Sequence, residues 1–328
     1  MKILVVSGYG VKISVKKDSI VLKTREGTSN ISLSEVDCVT VTTSGVSITS
    51  KAIRYFTKLG VMLVLLDSRG MPAAVLHHPF TTRTVSTRRA QYEALHSGRA
   101  EEVVKAVAVS KLGNQAGLLR KLRRELRVSE LAEVEQKILE LASSVAKIKN
   151  KTLSELRTEV INTEATSARH YWSALASVLP KDLGFDGRDQ EGCDVVNCAL
   201  NYGYGILYSA IWRYLSIHGL DPYAGFLHAD RSGKPVLTFD VVEVFRVPAV
   251  DFPVVRALRQ GVKLEVRNCL LDRESRARVV SLAARAMREK YSAYGEVREL
   301  ESWVSNFTSS LASYLRGEVQ LKPLVFRW

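Results

Sequence analysis

The 328-residue sequence predicts an α+β protein: a small amino-terminal β domain carrying one helix, followed by a larger all-α domain. Three observations carry this reading. Up to about His77 the chain is rich in Val, Ile, Thr and Ser in alternation of period two, as in strands with one buried face. From Arg83 onward, apolar residues instead recur three and four apart, the spacing of helices with one buried face. The composition, 46% hydrophobic and 25% charged, is that of a globular chain long enough for one large or two modest domains. The expected division is a β-rich dimerisation unit over 1–78 and a helical unit over 79–328.

Taken in order, the segments KILVV, KISVKK, IVLKT, ISLSEV and CVTVTT are strand-like and separated by Gly, Asp, Asn or Ser turns. SITSKAIRYFTKLGVMLVLLD reads as a helix from Ser50 to Leu59, ended by Gly60 and followed by a buried strand, with Ser47 or Ser50 as the cap. HHPFTT, His77 to Thr82, breaks both periodicities and marks the boundary, its two histidines fitting a solvated linker better than a metal site. Helical segments follow: RRAQYEALH, AEEVVKAVAVSKL, QAGLLRKLRRELR and SELAEVEQKILELASSVAKIK. Leu118, Leu119, Leu122 and Leu126 form one apolar stripe, with Arg120, Lys121, Arg123, Arg124 and Arg127 around it. Near the carboxyl end, Glu296 to Arg316 carries Trp303, Phe307, Leu311 and Tyr314 at helical spacing and stops at Gly317, a stripe suited to core or dimer interface.

Lys plus Arg number 47 against 34 Asp plus Glu, a formal net charge of +13. That excess favours a polyanionic partner, because each phosphate neutralised by Lys or Arg releases condensed counterions. A basic helix face is usually just solvated; on so basic a chain, Arg123 and Arg124 become candidates for phosphate contact. No apolar run approaches the roughly 20 residues of a membrane-spanning helix. The amino terminus goes straight into a strand pattern, so a cytoplasmic protein is expected. Cys38, Cys193, Cys198 and Cys269 form no C-x-x-C pair, and buried reduced thiols are the expectation.

The chemistry centres on two segments. In TLSELRTEVINTEATSARHYWSAL, Thr152 and Glu155 have capping-box spacing, and Glu164 falls on the inner face of the helix with Val160, Ile161, Ser167 and Ala168. A carboxylate among such groups must be paired or hold a cation. An arginine partner such as Arg169 and a metal ion both satisfy that need. In GLDPYAGFLHADRSGKPVLTFDVVEVFR, His228 precedes Asp240 and Glu243, which share a face if the chain is helical there. One imidazole with several carboxylate oxygens suits Mn²⁺ and admits Mg²⁺. A structural histidine and a plain capping box explain the same residues without a metal. Arg246, a turn beyond Glu243, is positioned for a phosphate.

The order and wording of these segments resemble the CRISPR-associated protein one family, the integrase-nuclease of prokaryotic adaptive immunity. The resemblance runs through SITSKAIRYFTKLGVMLVLLDSRGMPAA, RRAQY, EATSARHYW, NYGYGILYSAI, GLDPYAGFLHADRSGKPVLTFDVVEVFRVPAVD and LKPLVFRW. It implies that Glu164, His228 and Glu243 ligate the metal, that Asp240 is the neighbouring catalytic acid, and that Arg246 lies near the scissile phosphate. Asn197, Asn201, Tyr202 and Gly203 fall in a helix whose small residues allow close packing under the site. His170 and His218 match no family ligand. The resemblance further implies a homodimer paired through its β domains and a small second CRISPR-associated protein bridging two such dimers. The substrates it implies are a short DNA duplex with free 3′ ends and a repeat array. The implied reaction is attack of a 3′-hydroxyl on a phosphodiester at the repeat border. A structure-specific nuclease of branched DNA, with water attacking, is the rival enzyme reading, and a non-catalytic basic DNA scaffold the rival outside enzymology.

Overall fold

The computed structural model describes residues 3–68, 70–76 and 85–328. The expected boundary at 78/79 and the pair His77 and His78 lie outside the described residues. On either side of it the chain changes from strand-rich to mostly helical. Strands β1 (Ile3–Val6), β2 (Val11–Lys16), β3 (Ser19–Lys23), β4 (Thr28–Ser32), β5 (Cys38–Val41), β6 (Val46–Ile48), β7 (Met62–Leu66) and β8 (Pro72–Leu76) enclose one helix, α1 (Ser50–Lys58). They form two four-stranded sheets, in the orders β1-β5-β7-β8 and β4-β3-β2-β6.

Alternation divides the central strands between two cores. Val39, Val41 and Leu63 face Ile13, Ile20 and Phe56 between the sheets. Cys38, Met62, Val64 and Leu66, on the opposite face, join the helical core. The cap of α1 is neither serine proposed from sequence: Thr49 accepts from the Ala52 N–H at 3.2 Å. Gly60, with φ +73, ends the helix as expected.

The helical part comprises α2 (Val85–Glu93), α3 (Arg99–Leu126), α4 (Leu131–Lys147), α5 (Leu153–Val178), α6 (Val195–Ile217), α7 (Val236–Arg246), α8 (Phe252–Arg259), α9 (Arg273–Ala286) and α10 (Leu300–Leu315). It is not all-α. Two hairpins interrupt it, β9 (Val266–Arg267) with β10 (Leu270–Leu271) and β11 (Lys290–Ala293) with β12 (Glu296–Glu299). Each turns through two residues of positive φ, Asn268 and Cys269 in the first, Tyr294 and Gly295 in the second. The last helix therefore starts at Leu300, not Glu296; Trp303, Phe307 and Leu311 are core residues.

The cysteine expectation fails for one pair. Cys193 and Cys269 form a disulfide across 76 residues, joining the segment before α6 to the β9–β10 turn, while Cys38 and Cys198 are buried free thiols. Only the folded topology brings the bonded pair together, so no local spacing signals it.

Helix α3 is the spine, and the final residues strap along it. Gly113 and Gly117 leave room for Val325 and for the indole of Trp328. Asn114 and Ser110 act as surrogate backbone: the Asn114 side chain donates to Leu324 O (3.1 Å) and accepts from Phe326 N–H (2.9 Å), and Ser110 Oγ accepts from Leu324 N–H (2.8 Å). Asn114 also donates to Val244 O at 3.0 Å. That carbonyl lies four residues before Pro248, which has no N–H to give it. There the helix widens into a π-turn over Val247–Asp251.

Candidate metal centre

Three helices, α3, α5 and α7, and one loop carry the residues of the site. Thr152 caps α5 through a full capping box with Glu155, and three turns on, Glu164 is buried at 7% exposure. Asp240 and Glu243 lie on α7, both buried. Their roles differ. Glu243 joins Glu164, whereas Asp240 turns to the loop that carries His228.

That loop is built around the Asp240 carboxylate. One oxygen, Oδ2, accepts from the N–H groups of Phe226 (2.6 Å) and Leu227 (2.9 Å). The other accepts from His228 N–H (3.1 Å) and faces His228 Nδ1 at 2.7 Å. Gly225 is required because an added Cβ would lie 2.4 Å from Val236 Cγ1 and 3.0 Å from Asp240 Oδ2. Arg157 Nε donates to Phe226 O, and Gln91 bonds the loop backbone at Asp221 and Ala224. With Nδ1 occupied by the carboxylate, Nε2 is the nitrogen left for a ligand.

The residue that sequence reasoning missed is Lys111 of α3. Its ammonium lies 3.4 Å from Glu164 Oε1 and 3.0 Å from Glu243 Oε2. These contacts are at ion-pair distance without hydrogen-bond geometry, and both oxygens are buried. The signal was in AVAVSKLGNQAG, where Lys111 is the one charge on a stretch of apolar, small and neutral residues. Arg169, the arginine suggested for Glu164, is instead exposed. Arg246 is committed: its guanidinium bonds Glu243 Oε1 (2.9 Å) and Tyr208 (3.3 Å) and stacks on Tyr204 at 4.6 Å. Tyr204 and Tyr171 in turn donate to buried Asp251, and Arg188 covers the Tyr204 ring and bonds Asn197 and Asn201.

Electrostatics follow from this wiring. Burial pushes the Glu164 carboxyl up despite Lys111. Burial acts on Glu243 too, but Arg246 and Lys111 together outweigh it and hold that carboxyl below the ordinary range. The hydrogen bond that His228 donates to Asp240 raises the imidazole against the opposing effect of burial. Among the described residues, no three His, Cys, Asp or Glu side chains stand together around one ion-sized point. Two carboxylates meet through Lys111, and the imidazole is held by Asp240.

The other candidates fall elsewhere. Arg123 and Arg120 are both paired with buried Glu135 of α4, at 3.2 and 2.6 Å, while Arg124 is exposed. His218 contacts Ser305 at 3.5 Å, away from the site. The small residues of α6 pack as expected: an added Cβ on Gly203 would lie 2.6 Å from Val250, and on Gly205 1.5 Å from the Gly70 carbonyl oxygen. A cavity of about 690 Å³ lies away from Glu164 and Glu243; Lys121, Arg256, Arg259, Lys290 and Arg327 line it together with Glu125 and Glu289, over Phe252 and Trp328. No helix among the described residues is long and apolar enough to cross a membrane.

Comparison with known proteins agrees with this layout. Residues 4–285 match the model of the family CRISPR associated protein Cas1. The chain is 38% identical over 291 residues to CRISPR-associated endonuclease Cas1 1 of Pyrobaculum aerophilum, covering 86% of this chain and 93% of that one. It is 37% identical over 289 residues to CRISPR-associated endonuclease Cas1 2 of Saccharolobus solfataricus, covering 88% and 86%. Its fold is similar to a casposase bound to integration product (TM-score 0.83, 23% identity, 98% and 93% covered). It is also similar to a Cas1 protein from Thermotoga maritima (TM-score 0.77, 17% identity, 97% and 98% covered). On the family match and on the identity to these relatives, this chain belongs to the CRISPR-associated protein Cas1 family.

Proposed function

We propose that this protein is a metal-dependent DNA endonuclease and integrase of CRISPR adaptation, which inserts short DNA spacers into a repeat array. The observation that carries the proposal is the meeting of two buried carboxylates, from α5 and α7, at one cation, Lys111 Nζ. The donor types, two carboxylates and one imidazole, are those that Mn²⁺ or Mg²⁺ takes. Glu164 Oε1 and Glu243 Oε2 are buried, the ammonium stands where positive charge is wanted, and His228 has Nε2 to offer. Such an ion, when bound, stabilises charge developing on the scissile phosphate and orients the attacking oxygen.

The chain's own residues do the rest. Glu164, Glu243 and His228 hold the ion, and Asp240 fixes the imidazole by taking its Nδ1 proton in a hydrogen bond. Arg246 keeps Glu243 ionised and aimed. A 3′-hydroxyl attacks the phosphodiester; a P–O bond to it forms as the bond to the departing 3′-oxygen breaks, and the proton ends on that oxygen. With water attacking, the same geometry hydrolyses the strand, the activity named for both relatives above. The joining reaction takes its support from the fold shared with a casposase bound to integration product.

Within the same proposal, the DNA backbone follows the basic cavity over Phe252, whose Lys121 lies about 15 Å along α3 from Lys111, and exposed Arg124 extends it. The β domains pair two copies through their free strand edges. A small second CRISPR-associated protein bridges the dimers, as Cas1–Cas2 complexes of similar fold suggest. The test is strand transfer into a supercoiled plasmid bearing the repeat, with Mn²⁺, Mg²⁺ or EDTA. His228→Ala is expected to lower it by orders of magnitude with DNA affinity nearly unchanged. Undiminished transfer by that variant, or activity in EDTA, would falsify the metal mechanism.

A further inference from the structure

Resting on the metal reading above, we infer that Lys111 is a resident counter-ion of the site, holding Glu164 and Glu243 together until a divalent ion displaces its ammonium. The geometry requires a choice between the two cations. Lys111 Nζ occupies the space between the two carboxylates, 3.4 and 3.0 Å from buried oxygens. These oxygens are the ones a metal needs. At ligand distances of roughly 2.0–2.3 Å, an ion bridging the pair would overlap or closely crowd that ammonium.

Charge points the same way. Glu164 and Glu243 face Lys111 and Arg246, while His228 faces Asp240. With the neutral imidazole that a metal needs, three acids (Glu164, Glu243 and Asp240) against two cations (Lys111 and Arg246) leave only a weak net attraction for an incoming 2+ charge. Withdrawal of Lys111 strengthens that attraction, whereas Arg246 keeps its other partners, Tyr208 and Tyr204. The lysine also explains how two buried carboxyl groups stay adjacent without metal, a pairing that would otherwise be repulsive. Lys111 is thus a positioning residue with a cost: it keeps the ligands in register and lowers the affinity of the metal it awaits.

The experiment compares Lys111→Met, which keeps length and removes charge, with Lys111→Arg and the parent protein. Mn²⁺ binding is read from the free-ion paramagnetic resonance signal, and stability from thermal melting. Lys111→Met is expected to bind Mn²⁺ at least about tenfold more tightly. It should melt lower without metal and gain more from Mn²⁺ than the parent does; Lys111→Arg should stay near the parent. Equal or weaker Mn²⁺ binding by Lys111→Met overturns the inference. In the parent protein itself, acetylation of Lys111 by a small anhydride, mapped by mass spectrometry, should rise several-fold with Mn²⁺. Unchanged labelling overturns the inference even where the variant does not fold. If the parent binds no Mn²⁺, the metal reading falls with it; if the parent binds and Lys111→Met binds no better, only the role of Lys111 falls.

Discussion

Replacing Asp240 by Asn keeps every proposed ligand and the shape of the side chain, yet should weaken the metal site through one proton. The carboxylate has two jobs on two oxygens: Oδ2 serves Phe226 and Leu227 N–H, and Oδ1 serves His228 N–H and Nδ1. An amide has one acceptor oxygen. Turned so that its NH₂ meets the first pair, it strands two buried donors; turned toward His228, it strands one. Each stranded buried N–H costs roughly 1–3 kcal/mol, so the second orientation wins. The amide then donates to Nδ1, which must become the acceptor, and the imidazole proton moves to Nε2. No lone pair remains there for a metal. Loss of such a supporting group typically lowers metal affinity about 10–100-fold, roughly 1.4–2.8 kcal/mol. The assay is Mn²⁺ titration calorimetry, with nitrogen-15 histidine spectra to read the tautomer and a melting curve to confirm folding. A folded Asp240→Asn protein that binds Mn²⁺ as tightly as its parent would refute the reasoning.

Other expectations follow from features outside the ligand set. Closing a 76-residue separation by Cys193–Cys269 is worth up to about 4.5 kcal/mol of chain entropy, so Cys193→Ser should lower the melting temperature by several degrees. Equal melting with and without reductant would contradict that. Gly205→Ala should cost about 3 kcal/mol or more in urea denaturation, since its Cβ would fall 1.5 Å from the Gly70 carbonyl oxygen; a loss below about 1 kcal/mol would mean that α6 and the β domain do not meet there. Burial raises the Asp251 carboxyl against the pull of Tyr204 and Tyr171. A raised group adds stability that is full below its unfolded value and lost as pH climbs through the folded one. Asp251→Asn should therefore gain relative to the parent as pH rises above the ordinary carboxyl range, and a flat difference would argue against it. Paired charge reversal, Lys121→Glu with Arg256→Glu, should weaken DNA binding and flatten its salt dependence by about two counterions; an unchanged slope would take the DNA out of that cavity.

What was legible in the sequence, and what was not, divides along the range of the interactions involved. Strand alternation, the capping box at Thr152 and the inward face that carries Glu164 are properties of a few adjacent residues. They read directly from local pattern. Lys111 reads only as a lone charge on an otherwise uncharged helix stretch, because a lysine on a helix is ordinarily solvated; it is drawn from solvent only once α5 and α7 settle on α3. Asp240 and Glu243 do share a helix, as their spacing predicts. Yet only Glu243 turns to Glu164, because the loop from Gly225 to His228 supplies three backbone donors to Asp240. Arg123 looked free for phosphate because its partner Glu135 lies across the α3–α4 turn.

The strap over α3 shows the same dependence from the other side. Ser110, Gly113, Asn114 and Gly117 form the groove for the carboxyl-terminal residues, and Asn114 also supplies the donor that Pro248 withholds from Val244. Lys111 is flanked by these residues on the same two turns. The strap, the π-turn after Arg246 and the counter-ion of the carboxylates are thus anchored by eight consecutive residues of one helix. Rotation of α3 about its axis would move Lys111 out of the site and break the Asn114 bonds together. The tail, remote in sequence from Glu164 and His228, thereby helps to fix the charge on which their chemistry depends.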